Sequence, residues 1–155
     1  MAILTLSNFR ANTVMPVQDV DIVEASEPGY IEARGRHHEA RINARLWKRY
    51  AVPFDSTSPP ATVLGWLVDL VTLDAYRKRG FNPSSAQDQT IIDDATRATA
   101  EVTEAANSET GLFELPLREN APGVEGVSRG GPFGYAEASP YTWMDRQREA
   151  VRRER

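Results

Sequence analysis

The sequence predicts an all-α protein: a small bundle of about four helices, followed by an extended C-terminal arm that ends in a short helix. Three observations carry this. Apolar residues recur at steps of three and four over long stretches, prolines mark the boundaries of those stretches, and strand-like alternation is scarce.

Residues 1–14 are weakly patterned and read as an extended N-terminal arm, with a little apolar surface from Ile3, Leu4 and Leu6. Pro16 opens a short helix, because its missing N–H would be unbonded there anyway. Val17, Val20 and Val23 give that helix an apolar face, and Asp19, Asp21 and Glu24 suit its positive start. Ser26 and Pro28-Gly29 end it. The second helix spans about Glu27 to Tyr50. Ile31, Gly35, His38, Ile42, Leu46 and Tyr50 fall on one stripe. The other faces carry Arg34, Arg36, Arg41, Arg45, Lys48 and Arg49, opposed only by Glu32 and Glu39, so this helix is basic.

Residues 51–60 are a loop. Ser58 caps the third helix, Pro59 takes its first position, and the helix runs to Arg79 before Gly80. Val63, Leu64, Trp66, Leu67, Val68, Leu70, Val71, Leu73 and Tyr76 leave it little polar surface. A helix apolar on most faces must be enclosed by protein. In so short a chain, part of that cover is expected from neighbouring subunits. The fourth helix starts after Asn82-Pro83 and ends near Asn107. Ile91, Ala95, Ala98, Val102 and Ala105 form its stripe, and Asp88, Asp93, Asp94, Glu101 and Glu104 outnumber Arg97. Leu112–Arg118 is extended, with Pro116 barring a central strand. A Gly/Pro-rich stretch follows, and Ser139-Pro140 starts a final basic helix. The expected division is an arm at 1–14, a bundle at 15–118 and a docking arm at 119–155.

Composition narrows the function. The chain has 155 residues, 41% of them hydrophobic and 26% charged, with a formal net charge of -4. That balance argues against a dedicated DNA- or membrane-binding protein. The lack of cysteine removes disulfides, thiolate metal sites and cysteine nucleophiles. No secretory leader is expected from the N-terminal residues, and no apolar run approaches the roughly 20 residues that span a bilayer.

No catalytic set emerges. His37 and His38 point about 100° apart on a helix, which suits one core-edge and one surface histidine better than a shared metal. Asp69 and Asp74 interrupt the apolar third helix, and pairing to arginine is expected, with Arg45 and Arg49 as candidate partners. Gly130-Gly131-Pro132-Phe133-Gly134 lacks the Lys-Ser/Thr ending and preceding strand of a phosphate loop. The expectation is therefore no enzyme, metal or cofactor.

The charge pattern points instead to assembly. A basic helix and an acidic helix on one chain can pair between neighbouring copies around a ring. Arg41, Arg45 and Arg49 on one side, with Asp93 and Asp94 on the other, are the candidate subunit contacts. In the tail, Phe133, Tyr135, Tyr141 and Trp143, with Arg146, are the aromatic and arginine anchors that dominate binding hot spots.

The run INARLWKRYAVPF, then PPATVLGWLVDLVTLDAYRKRG, the acidic Ala-rich helix, GLFELPLR and GVSRGGPFGYAEASPYTWMDRQ together resemble the Mu-like bacteriophage head–tail adaptor family. The likeness covers about residues 15–148. It is most specific at Arg49-Tyr50 … Pro53 and at Ser139-Pro140-Tyr141-x-Trp143. It implies a helical connector forming a ring of about a dozen copies, a dodecamer, beneath the portal protein. Such a ring extends the DNA channel and seats the next neck, stopper or tail-completion component. The resemblance assigns portal docking to the C-terminal arm. Double-stranded DNA would pass without specific binding, and Asp88, Glu101 and Glu104 are candidate channel-facing acids that would repel phosphate. The alternatives are another ring-forming neck or tail protein, a stopper or terminator, and a small DNA-binding regulator using the basic helix.

Overall fold

The computed structural model describes residues 2–80, 86–107, 112 and 114–118; side chains at 86 and 87 are not included. These residues lie in one compact unit, Met1–Ala121. The tail residues Phe133, Tyr135, Tyr141, Trp143 and Arg146, the final helix and the Gly/Pro-rich stretch lie outside the described residues.

The fold is all-α. Among the described residues five helices follow in order: α1 (Leu6–Asn12), α2 (Val17–Ser26), α3 (Tyr30–Leu46), α4 (Ala61–Arg79) and α5 (Ala86–Ala106). The apolar helix α4 is the centre, touching α1, α2, α3 and α5. Val63, Trp66, Leu67, Val68, Val71, Leu73, Ala75 and Tyr76 are all buried along it. The chain's own helices cover most of α4, and Leu64 and Leu70 stay half-buried.

Part of that cover comes from the N-terminal residues, which are not an extended arm. Thr5 caps α1 by accepting a hydrogen bond from the Asn8 N–H at 3.2 Å. Ile3, Leu4 and Phe9 are buried. Two acids of α3 hold the approach to α1: Glu39 accepts from the Ile3 N–H at 3.2 Å and Glu32 from the Leu6 N–H at 3.5 Å. Leu4 lies against Gly35, where an added Cβ would stand 3.2 Å from the Leu4 Cβ. Glycine at this point of the α3 stripe therefore lets the N-terminal segment approach the helix closely. A helix of 7 residues with a single buried side chain has too little periodicity to declare itself in sequence.

The expected Ser58 cap is not formed: α4 starts at Ala61, after Pro60, with no side-chain cap. Glu24 accepts from the N–H groups of Gly29 (2.7 Å) and Ile31 (2.9 Å), placing a carboxylate at the positive start of α3. Gly29 adopts φ 82°, in the left-handed region that lets the chain turn from α2 into α3. Helix α3 ends at Leu46, four residues before the expected end near Tyr50, and passes into a turn. The apolar stripe continues to Tyr50, which is fully buried, because the Tyr50 N–H still bonds Leu46 O at 2.9 Å. Residues 114–118 lie alongside this end. Tyr50 and Leu117 form an antiparallel bridge, Ala51 N–H donates to Pro116 O, and Arg118 N–H donates to Arg49 O, both at 2.9 Å. The Tyr50 hydroxyl accepts from the Leu112 N–H at 2.8 Å. Pro116 thus uses its carbonyl where it has no N–H to offer.

Candidate functional site

Polar chemistry inside the bundle is concentrated on Asp74. Helices α3 and α4 run antiparallel, so the C-terminal half of α4 meets the N-terminal half of α3. That brings Arg34 and His38 to Asp74, and leaves Arg45 and Arg49, the partners expected from sequence, too far along α3 to reach it. Arg34 Nε donates to Asp74 Oδ2 at 2.7 Å, and His38 Nε2 lies 2.7 Å from the same oxygen. Burial pushes the Asp74 carboxyl up. The hydrogen bonds and charges of His38 and Arg34 outweigh burial and hold it below the usual carboxylate range. His38 is buried and His37 is exposed, as the core-edge and surface reading expects. The cluster pins two helices together. The Tyr30 hydroxyl donates to the Asp74 backbone oxygen at 3.3 Å.

Asp69 lies on the other flank of α4, toward α5. Its carboxyl is raised by burial first and then by the negative charges of Asp94 and Glu101, with Arg97 acting against them. No group of three or more His, Cys, Asp or Glu among the described residues could hold a metal ion.

The charged helices divide between internal and outward duty. Arg49 is buried, and its guanidinium donates to the Asn107 carbonyl at 3.0 Å, just beyond the end of α5. It therefore serves the negative C-terminal end of a helix in its own chain. Its expected role as a contact to a neighbouring copy is corrected on that ground. Arg45 is exposed, with Nη1 3.4 Å from the Thr103 hydroxyl. Arg41, Arg36 and Lys48 are exposed and make no ion pair among the described residues.

The acids of α5 divide likewise. Glu101 is half-buried and accepts from the Trp66 indole N–H at 2.7 Å, so it anchors α4 to α5. Asp94 accepts from Arg97 at 2.7 Å within the helix. Asp88 is half-buried at the start of α5. Asp93 and Glu104 are exposed, and Asp93 accepts from Gln89 at 3.0 Å.

Two outward features were not singled out from sequence. Trp47 is 57% exposed and Leu117 40% exposed. The bridge between Tyr50 and Leu117 brings these distant residues to one end of α3. Arg118 covers the Trp47 ring at 5.6 Å and donates to the Trp47 carbonyl at 3.3 Å. The sequence did hold a signal for Trp47: it follows the stripe residue Leu46 by one position, which turns it about 100° off the core face. The second feature is an open groove of about 730 Å³ along α4 and α5, whose walls include Leu70, Leu73, Ile92, Thr99, Ala100 and Glu104.

No helix among the described residues is long and apolar enough to cross a membrane. Comparison with protein-family models, curated proteins and solved structures finds no match.

Proposed function

We propose that this chain is a structural part of a tailed-phage particle: a head–tail adaptor that closes into a ring beneath the portal, extends the DNA channel and seats the next neck component. The observation that carries the proposal is the outward face at the end of α3. Trp47 and Leu117 stay in solvent, outside the buried core and at the same end of α3 as Lys48 and Arg118. Aromatic and arginine side chains left outside a finished core are the residues that anchor protein contacts. The sequence resemblance to Mu-like adaptors supplies the biological setting, and the tail anchors Phe133, Tyr135, Tyr141, Trp143 and Arg146 supply the portal contact in this reading.

The reading is tested by truncation after Arg118. The shortened chain is expected to keep its helical circular dichroism and to lose binding to the purified portal. Portal binding that survives truncation would remove the arm's assigned role. Arg36, Arg41 and Arg45, exposed on α3, with Lys48 in the turn after it, favour a second reading as a DNA-binding regulator. Tight double-stranded DNA binding with a steep salt dependence, and no portal affinity, would establish that reading instead.

A further inference from the structure

Three arginines without an acid partner stand around the groove between α4 and α5. Arg77 of α4 lines it, and Glu104 is the one acid of its wall among the described residues. Arg45 reaches that wall from α3, with Nη1 3.4 Å from the hydroxyl of the lining residue Thr103. Arg41, one turn before Arg45, lines a smaller recess that shares Leu70 and Thr99 with the groove. All three arginines are exposed and form no ion pair among the described residues. The acids of α3 do not offset them, because Glu32 and Glu39 accept from the Leu6 and Ile3 N–H groups. On α5, Asp94 accepts from Arg97, Glu101 from Trp66 and Asp93 from Gln89. Neither these three acids nor Asp88 line the groove.

The rest of the wall suits apolar side chains. Leu70, Leu73, Ile92 and Ala100 belong to it. Thr96, Thr99 and Thr103 do too, and each donates its hydroxyl to a carbonyl of α5, at 2.8, 2.9 and 2.9 Å. Those hydroxyl protons are already engaged, so a phosphate finds no donor there. The lining residues of α5 run from Ile92 to Asn107, roughly 22 Å of helix, which matches about four turns of a second helix laid alongside.

We propose that the groove takes an acidic amphipathic helix of a partner protein. Its apolar face lies against Leu70, Leu73 and Ile92, and its carboxylates meet Arg41, Arg45 and Arg77. A helix laid by its apolar face into an apolar groove is a recurrent mode of recognition, and the unpaired arginines select an acidic one. Duplex DNA matches the arginines but not the wall, because its phosphates would leave the leucines uncovered and meet Glu104. The contact is independent of the adaptor reading.

A displayed library of random peptides, selected against the full-length protein, tests it. The enriched pool is expected to carry Asp and Glu in excess of Lys and Arg, with Leu, Ile or Phe at steps of three and four. One synthetic peptide from that pool is then titrated against variants. The double variant Arg41→Glu with Arg45→Glu, and separately Ala100→Trp, which fills the groove, are each expected to weaken binding at least tenfold. Arg36→Glu is the charge control: Arg36 is turned about 140° from Arg41 on α3 and lines a separate recess with Ala2 and Glu39, so binding is expected to stay within about twofold. Helical circular dichroism checks each variant. Should the double variant misfold, Arg77→Gln, which adds no acid, is expected to weaken binding about threefold. A pool without acidic excess, no enriched pool at all, or full binding to Ala100→Trp would overturn the proposal. So would duplex DNA that displaces the peptide and whose binding is lost in the arginine variants but kept in Ala100→Trp, since the arginines would then belong to nucleic acid. Self-association in sedimentation that Ala100→Trp abolishes would give the groove to a second copy and overturn it as well.

Discussion

Replacing Phe9 by alanine is expected to lower the unfolding free energy by about 3–5 kcal/mol, the range for deleting a buried phenylalanine. Phe9 is 0% exposed and is the one buried residue of α1. It is the residue through which a short helix, unable to persist alone, joins the core. Helix α1 touches both α3 and α4, so the cavity would open at the centre of the bundle. Against a total stability of about 5–15 kcal/mol, that loss leaves a marginal fold. Urea denaturation followed by circular dichroism measures it, with Phe9→Leu as the milder control. A change below about 0.5 kcal/mol, as at an exposed site, would mean the N-terminal residues lie outside the core.

Asp74→Ala is the second large effect, expected at about 3 kcal/mol at neutral pH. The substitution leaves His38 buried without its carboxylate and strands the guanidinium of Arg34 beside it. The figure is at the low end for a broken buried pair because the Arg34 side chain keeps 35% of its surface in water. The pH dependence has a definite sign. The Asp74 carboxyl is held below its ordinary value in the folded state, so its ionised form favours folding. That contribution is present above the ordinary carboxylate range and is lost as pH falls through that range toward the folded-state value. Wild type and Asp74→Ala should therefore differ most near neutrality and converge in acid. A constant gap at all pH values would show that lost packing, rather than the ion pair, sets the cost.

The helices α2 to α5 were legible because each repeats its apolar residues over enough turns. Ile31, Gly35, His38, Ile42 and Leu46 are all buried on α3, and Ile91, Ala95, Ala98, Val102 and Ala105 on α5. Burial of α4 was legible, but its cover was not. Ile3 and Leu4 lie outside any helix, and their packing against α3 depends on Gly35, a long-range relation that periodicity does not encode.

Charge was legible as composition and misleading as geometry. Arg49 and Glu101 looked like surface residues. One serves the end of α5, which runs parallel to α3, and the other accepts from Trp66 across the antiparallel α4–α5 pair. Trp47 and Leu117 come to the same end of α3 only when the segment around Pro116 settles there. Nothing local in either sequence stretch specifies that meeting.

The proposed role of this chain is to join copies of itself to a portal. Native mass spectrometry of the full-length protein, with and without the purified portal, tests it most directly. A closed ring of about a dozen copies on the portal is expected. A chain that remains monomeric at every concentration and never appears in a portal complex would contradict it.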